Sequence, residues 1–488
     1  MPLKRQNVIR PLLLTALLFG IALDARADDE LQLPELGDST SSLYSNAQEY
    51  ALGRAWLKAF RARVRTVDDP LLQSYLEDLI YRLASHSQLK DRRLEVVVVD
   101  NATLNAFAVP GGVVGVHNGL LLYADNEAQL ASVLSHELAH LSQRHFARSV
   151  EQQQRAALPT MAGMLGALVL AATAGGDAGI AAMTATQAAS LQNRLNYSRQ
   201  NEQEADRIGM ETLAQAGYDP NAFAAMFDNM LAATRYAGRR PPEFLLTHPL
   251  TESRISDARN RARDYPRAMH TDNLDYQLMR VRAELQLAPN AGDMIKRLRA
   301  RLERGGTRGN GVADHYGLAL AYLKNSEPAK ARAELAPLLA REPQRIAYVI
   351  AAAEIDIASG QPQEALARLE KSLRIAPDNH PLTMAYANAL LQLSQPKRAE
   401  TVLQAHSRRR PDDPAIWYLL AETHGLAGNI VGVHQARAEY FVLTGALDQA
   451  TRQLGYALPL VRGNTLATAR IEERIRDIEA MKDMMAKL

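Results

Sequence analysis

The chain has 488 residues, 47% hydrophobic and 23% charged, and no cysteine. That length supplies about two to four domains, the apolar content excludes a disordered tail protein, and the missing thiols exclude disulfide scaffolds, cysteine nucleophiles and Cys-ligated zinc. A net charge of +2 argues against nucleic acid as a partner, because a basic surface is needed to displace the counterions of a phosphate backbone.

At the N-terminus, Lys4, Arg5 and Arg10 precede an apolar run over 11–23, and Ala25-Arg26-Ala27 offers the small residues of a cleavage site. Residues 1–27 therefore read as a removed secretory signal, since the run falls short of the roughly 18–20 apolar residues of a membrane span. Its removal takes Lys4, Arg5, Arg10, Arg26 and Asp24 and turns the net charge from +2 to −1. A signal without any cysteine predicts a soluble periplasmic protein that forms no disulfide and carries no lipid anchor.

Residues 40–87 show helical periodicity, with Leu76, Leu79, Ile80 and Leu83 on one face. The period then shortens to that of a small β-sheet. A β-branched run spans 94–99, Ala106, Phe107, Ala108 and Val109 lead into Pro110-Gly111-Gly112, and 113–117 forms the return strand of a hairpin. Helical pattern resumes over 127–150 and contains Ser135-His136-Glu137-Leu138-Ala139-His140. Residues 156–183 are apolar but rich in Ala and Gly, polar helical sequence runs from 187 to 236, and Pro241-Pro242 breaks it.

The second half repeats. Pro343, Pro377 and Pro411 stand 34 residues apart, as do Ala319, Ala353, Ala387 and Ala421, and Ala331, Ala365 and Ala399 keep the same step. A 34-residue period with small residues inside each helix and proline after the second is the signature of tetratricopeptide (TPR) helix hairpins. Val433 breaks the second alanine series, so the fourth unit is degenerate, and the helical sequence over 276–302 is poorly phased. Ile471, Ile475, Ile478 and Met481 form one apolar stripe among charges, as in a capping helix. The expected organisation is a signal (1–27), a first domain (28–265) and a helical repeat domain (266–488).

The chemistry lies in the first half. His136 and His140 are one helical turn apart, so both imidazoles reach a single zinc ion, and Glu137 stands beside them to take a proton from a bound water. Leu130, Val133, Leu134, Leu138 and Leu141 make the helix apolar on its other side, which buries the motif and gives its polar groups a purpose. A third ligand must come from elsewhere. A metzincin histidine would fall at position 146, which is Phe146, with His145 one residue out of register. Glu202-Gln203-Glu204-Ala205-Asp206 offers a carboxylate instead: Glu202 and Asp206 are one turn apart, one to bind zinc and the other to hold the outer nitrogen of a zinc histidine. Glu204 competes with Glu202 for the ligand role and is otherwise a solvated charge.

Taken in order, 105–112 (Asn-Ala-Phe-Ala-Val-Pro-Gly-Gly), Gly119-Leu120-Leu121, the His136 to His140 motif, and Glu202 to Asp206 with Ile208-Gly209 resemble the M48 family of gluzincin peptidases. The resemblance implies a mainly α chain: an α+β metallopeptidase domain with a small sheet, then an α-helical TPR solenoid. It implies one Zn2+ per chain held by His136, His140 and Glu202, with Glu137 as general base and Asp206 supporting catalysis. It also implies that the edge strand at Ala106, Phe107, Ala108 and Val109 captures extended substrate by β-augmentation. With the signal and the repeats, the implied function is a periplasmic zinc endopeptidase and chaperone. Its clients would be unfolded or stalled outer-membrane β-barrel proteins, met beside the barrel-assembly machinery, which the repeats engage. A non-proteolytic assembly adaptor that works through its TPR domain is the alternative.

Two features carry separate expectations. His248, in Thr247-His248-Pro249, either fills the fourth metal position as a latch or merely packs or helps bind substrate. Within 156–183, the mainly apolar stretch 156–174 is long enough for a transmembrane helix, but its many Ala and Gly residues favour a helical lid or plug near the site, in peripheral contact with membrane or an exposed client surface. His86, His117 and His145 read as ordinary structural or surface residues.

Overall fold

In the computed structural model, which describes residues 45–155, 188–236, 242–266, 273–306 and 311–486, the helical stretch expected over 40–87 is two helices. Ser45 and Gln48 form a capping box that starts Asn46–Arg61. Asp69 caps the second, Pro70–Ser85, through the Leu71 and Leu72 amides, with Pro70 in the first turn where its missing N–H costs nothing. Between them Thr66 bridges to Val99, so the break serves the sheet. The signal and the 156–183 segment lie outside the described residues. Among those described, no helix is long and apolar enough to cross a membrane.

Three strands form the sheet in the order β1-β3-β2. β1 (Glu95–Val99) runs parallel to β3 (Val113–His117), and β2 (Ala106–Val109) pairs antiparallel with β3, as the hairpin pattern predicts. Gly111 and Gly112 turn the hairpin at φ 81° and 79°, a conformation that side chains resist. β2 is an edge strand. The Phe107 ring lies over Gly115, whose added Cβ would stand 2.0 Å from the ring, and packs against Trp56 and Phe60.

Asn126 caps the motif helix, Glu127–Ser142, which is buried from Glu127 through Ala139. The helix expected over 127–150 breaks after it, because Arg144 takes φ 50° and a new helix, His145–Arg155, begins. The expected 187–236 helix also divides, into Ala188–Gln215 and Asn221–Tyr236. Gly217 at φ 86° ends the first, with the Tyr218 amide returning to the Leu213 carbonyl.

In the second half helices begin at 312, 346, 380 and 414 and their partners at 328, 362, 396 and 430, so the 34-residue step is that of folded hairpins. Ala319, Ala353, Ala387, Ala331, Ala365 and Ala399 are all buried where paired helices touch. The degenerate fourth unit still folds: Asn429 caps Ile430–Leu443 where the earlier second helices start on proline. Ile471 and Ile478 of the final helix seal the array.

The array is not hung from the first half. One hydrophobic core runs from Val67 to Ala399. Tyr276 donates to the Leu121 and Ala124 carbonyls at 2.9 and 2.6 Å, Arg282 pairs with Asp69 at 2.7 Å, and Arg410 with Glu77 at 2.7 Å. Gly445 sits so close to the end of helix Asn46–Arg61 that an added Cβ would be 2.3 Å from the Lys58 carbonyl.

Beside the Arg410 contact, His380 and His406 stack at the interface of one repeat, with Nδ1 of the first 2.9 Å from Nε2 of the second. Burial pushes both down to about 4. Arg410 and Arg409 oppose a further charge there, while Asp413 and Glu77 favour it too weakly to compensate. Because the folded pKa lies below the ordinary 6.5, unfolding takes up protons on acidification. Stability should therefore be level above pH 6.5 and fall toward pH 4, by about 1.4 kcal/mol per pH unit for each ring. Leu338 occupies the position of His406 two repeats earlier. His406→Leu should flatten the fall in urea midpoint between pH 7 and pH 4.5; an unchanged slope would refute the assignment.

Candidate metal centre and active site

The motif helix and helix Ala188–Gln215 cross at Gly209. A Cβ there would stand 3.0 Å from both the N and Cα of His136, so the glycine sets the distance between the two ligand-bearing backbones. The crossing brings His136, His140 and Glu202 together with His248, which follows the short helix Glu243–Thr247. One ligand atom from each of these four lies within 4.8 Å of all the others.

The outer nitrogens are held. Asp206 Oδ1 is 3.0 Å from His136 Nδ1, which turns His136 Nε2 inward. His145 Nδ1 is 2.8 Å from His140 Nδ1, and its other nitrogen is 3.1 Å from Glu204. The inner nitrogens of His136 and His140 then face each other at 3.0 Å. Two buried imidazole lone pairs at that distance repel unless a cation or a proton lies between them. With no cysteine available, a His, His, Glu, His donor set fits a divalent metal such as zinc.

Electrostatics follow from burial opposed by partners. Burial would depress His136, but hydrogen bonds to Asp206 and Glu202 outweigh it and push the ring up to about 10. For His140 burial wins over Glu202, and the ring falls to about 3. Glu202 is held well below the usual carboxylate range: burial resists, but the charge of His248 and hydrogen bonds from three histidines prevail. A metal ion would displace the proton held between these groups.

Glu137 is almost wholly buried, at 1% exposure, and burial raises its carboxyl above the usual range despite the opposing charges of His248 and His136. Its Oε1 finds no hydrogen-bond partner, and the Ala108 backbone amide of β2 lies against the carboxylate. The nearest cationic donor to Oε1 is His248 Nε2, at 3.6 Å and beyond hydrogen-bond reach, so this oxygen, buried beside the metal-centre histidines, keeps capacity to accept a proton. The side chains of Ala106 and Val109 are buried and Phe107 packs against the neighbouring apolar cluster, so β2 presents no large exposed side chain.

Two residues of this site depart from the expectations above, and a third, Arg254, had none. His145 and Glu204 are neither ordinary nor solvated: they form a relay behind His140 that Arg148 extends at 2.9 Å from Glu204. The out-of-register spacing of His145, which excludes it from the metal, is what delivers it to the back of His140 after the turn at Arg144. Arg254 had no periodic signal at all. It is 3% exposed and holds Asp206 with Nε and Nη2, both at 2.7 Å, and Glu202 at 2.9 Å. His117, by contrast, is the buried structural residue expected, held by Thr103.

The family model for peptidase family M48 matches residues 70–262, and a tetratricopeptide repeat model matches 356–423. The "Beta-barrel assembly-enhancing protease" of Escherichia coli K12 is 37% identical over 479 residues, 98% of this chain and 97% of that one. The chain belongs to peptidase family M48. A putative protein of the same name from Vibrio cholerae is 37% identical over 461 residues, covering 94% of this chain and 95% of the relative. The mitochondrial metalloendopeptidase OMA1 of Schizosaccharomyces pombe is 31% identical over 203 residues, 40% of this chain and 57% of the relative. As an M48 member with C-terminal TPR repeats, the protein is a metal-dependent endopeptidase. The 70–262 match contains every candidate ligand and Arg254 as well.

Proposed function

We propose that this M48 peptidase binds one zinc ion per chain through His136, His140 and Glu202, and cleaves unfolded or stalled outer-membrane β-barrel proteins in the periplasm. The observation that carries the reading is the convergence of those three donors beside a buried, partly unsatisfied Glu137. Zinc, when bound, polarises the scissile carbonyl and lowers the pKa of a bound water to about 7. Glu137 takes the proton of the attacking water and passes it to the leaving amine. Asp206 keeps His136 in the tautomer that turns Nε2 inward. The open edge of β2 pairs with the extended substrate backbone, and the Ala108 amide brings that edge to Glu137, so cleavage falls on chains without structure of their own.

The client class rests on the near full-length likeness to two proteins named for β-barrel assembly, and the compartment on the N-terminal signal. The TPR array (266–488) is read as the surface that meets the barrel-assembly machinery, beside a peptidase domain over 28–265. His248, with Nδ1 3.0 Å from Glu202 and 3.3 Å from His136, is read as a latch on the fourth metal position. Zinc-loaded protein should cleave a urea-diluted outer-membrane protein, and a chelator should abolish that cleavage. His248→Ala should raise basal casein cleavage severalfold with zinc content unchanged. Equal or lower activity in a folded variant would sink the latch, and zinc-loaded protein inert on unfolded clients would sink the client assignment.

A further inference from the structure

Arg254 touches more than a counter-ion needs to. It sits in the first turn of helix Glu252–Ala262, whose cap Thr251 receives the Arg254 amide. Beyond its contacts to both Asp206 oxygens and to Glu202, its Nη1 donates at 2.8 Å to the Pro249 carbonyl. Pro249 is the residue after His248. One guanidinium therefore grips two carboxylates of the metal centre and the backbone of the loop that carries the fourth histidine.

Glu202 is shared in the same way. Its Oε1 lies 3.0 Å from His248 Nδ1, and its Oε2 lies 2.9 Å from Arg254 Nη1. His248 itself is stacked on Phe244 at 4.5 Å, and its amide donates to the Phe244 carbonyl at 2.8 Å. Those contacts lie on the N-terminal side of the loop. On the other side, the Arg254 to Pro249 bond ties the loop to the glutamate helix.

We propose that Arg254 is a positioning residue that couples the metal-centre carboxylates to the His248 loop, so that the place of His248 over the metal and the affinity for the metal depend on one buried fork. The proposal rests on the latch reading above for its functional consequence but not for the coupling itself. A lysine keeps the charge but lacks the planar fork, and cannot hold Asp206 through two bonds while also reaching Glu202 and Pro249. Neutralising two carboxylates would require a cation alone. The fourth bond, to a carbonyl, adds no charge compensation and is explained by fixing the loop.

The test is Arg254→Lys in the full chain, with two readouts that need no activity. Zinc affinity, by competition with a chromophoric chelator, should weaken about 10- to 100-fold. Hydrogen exchange of the backbone amides over 245–251 should speed about 10-fold. Weakened zinc binding with unchanged exchange in the loop would overturn the proposal, leaving Arg254 a counter-ion only. Unchanged zinc affinity would overturn it from the other side. In the His248→Ala background the same substitution should still weaken zinc binding but give no further rise in cleavage per bound zinc. If His248→Ala leaves cleavage unchanged while Arg254→Lys frees the loop, the latch reading falls and the coupling stands. Should Arg254→Lys not fold, wild-type protein carries the test: adding zinc should slow exchange over 245–251 about 10-fold relative to chelated protein, and equal rates would overturn the proposal.

Discussion

Glu137→Gln should retain bound zinc at the wild-type ratio and lose about 10²- to 10⁴-fold in kcat on casein or an unfolded barrel protein. Glutamine is close to glutamate in size and can still meet the Ala108 amide, so ligand geometry and fold should hold. What it removes is the proton acceptor. Oε1, buried, without a hydrogen bond and 3.6 Å from His248 Nε2, is the oxygen whose proton-accepting capacity the substitution removes. Full activity with glutamine in place would exclude Glu137 as the base. The same variant separates the two ways in which the chain can serve barrel assembly. Rescue of assembly by inactive protein would assign that share of the work to the repeat array.

Gly209→Val should break the metal centre without touching a ligand. A side chain at 209 drives against the His136 backbone, 3.0 Å from where its Cβ must go, and against Phe223 at 3.1 Å. A backbone inside a buried helix cannot swing aside as a flexible side chain can. Overpacking of this kind costs about 1–3 kcal/mol, and the larger effect is on ligand separation. Zinc affinity should fall about 100-fold or more, because sites of this kind tolerate only about 0.5 Å of misplacement. Gly455→Ala supplies the control: nothing lies within 4 Å of its Cβ position, so zinc binding should not change. Retained affinity in the valine variant would mean that the helices part elsewhere and the crossing does not set the site.

Legibility in the sequence followed the range of each interaction. His136 and His140 declare themselves because one helical turn fixes their separation, and Glu202 and Asp206 do so for the same reason on the second helix. The choice between Glu202 and Glu204 needed the crossing, since both are acidic and two residues apart; the structure aims the first at the histidine nitrogens and the second at His145. The 34-residue step made the repeats readable, and Ala319, Ala353 and Ala387 fall where that step puts them. The breaks at Asp69-Pro70 and at Gly217 carry local cap and turn residues that an apolar period alone passes over, whereas the break at Arg144, a non-glycine residue at φ 50°, has no such signal and is decided by tertiary contacts. Arg254 was hidden for the plainest reason. A lone arginine in a polar helix resembles any solvated one until the carboxylates that bury it are in place.

The contacts at Glu77 and Lys58 change what kind of object the repeat array is. A free solenoid is a one-dimensional chain of units, each aware only of its neighbours, and it frays from either end. Here Arg410, after the third hairpin, and Gly445, after the fourth, press back on the two helices that open the peptidase half. The linear stack is thereby pinned back at two points, and on that side only the last two helices, Leu447–Ala457 and Thr465–Ala486, lie beyond the second pin. The late repeats should therefore unfold together with the two helices that pack beside the sheet, in one transition rather than unit by unit.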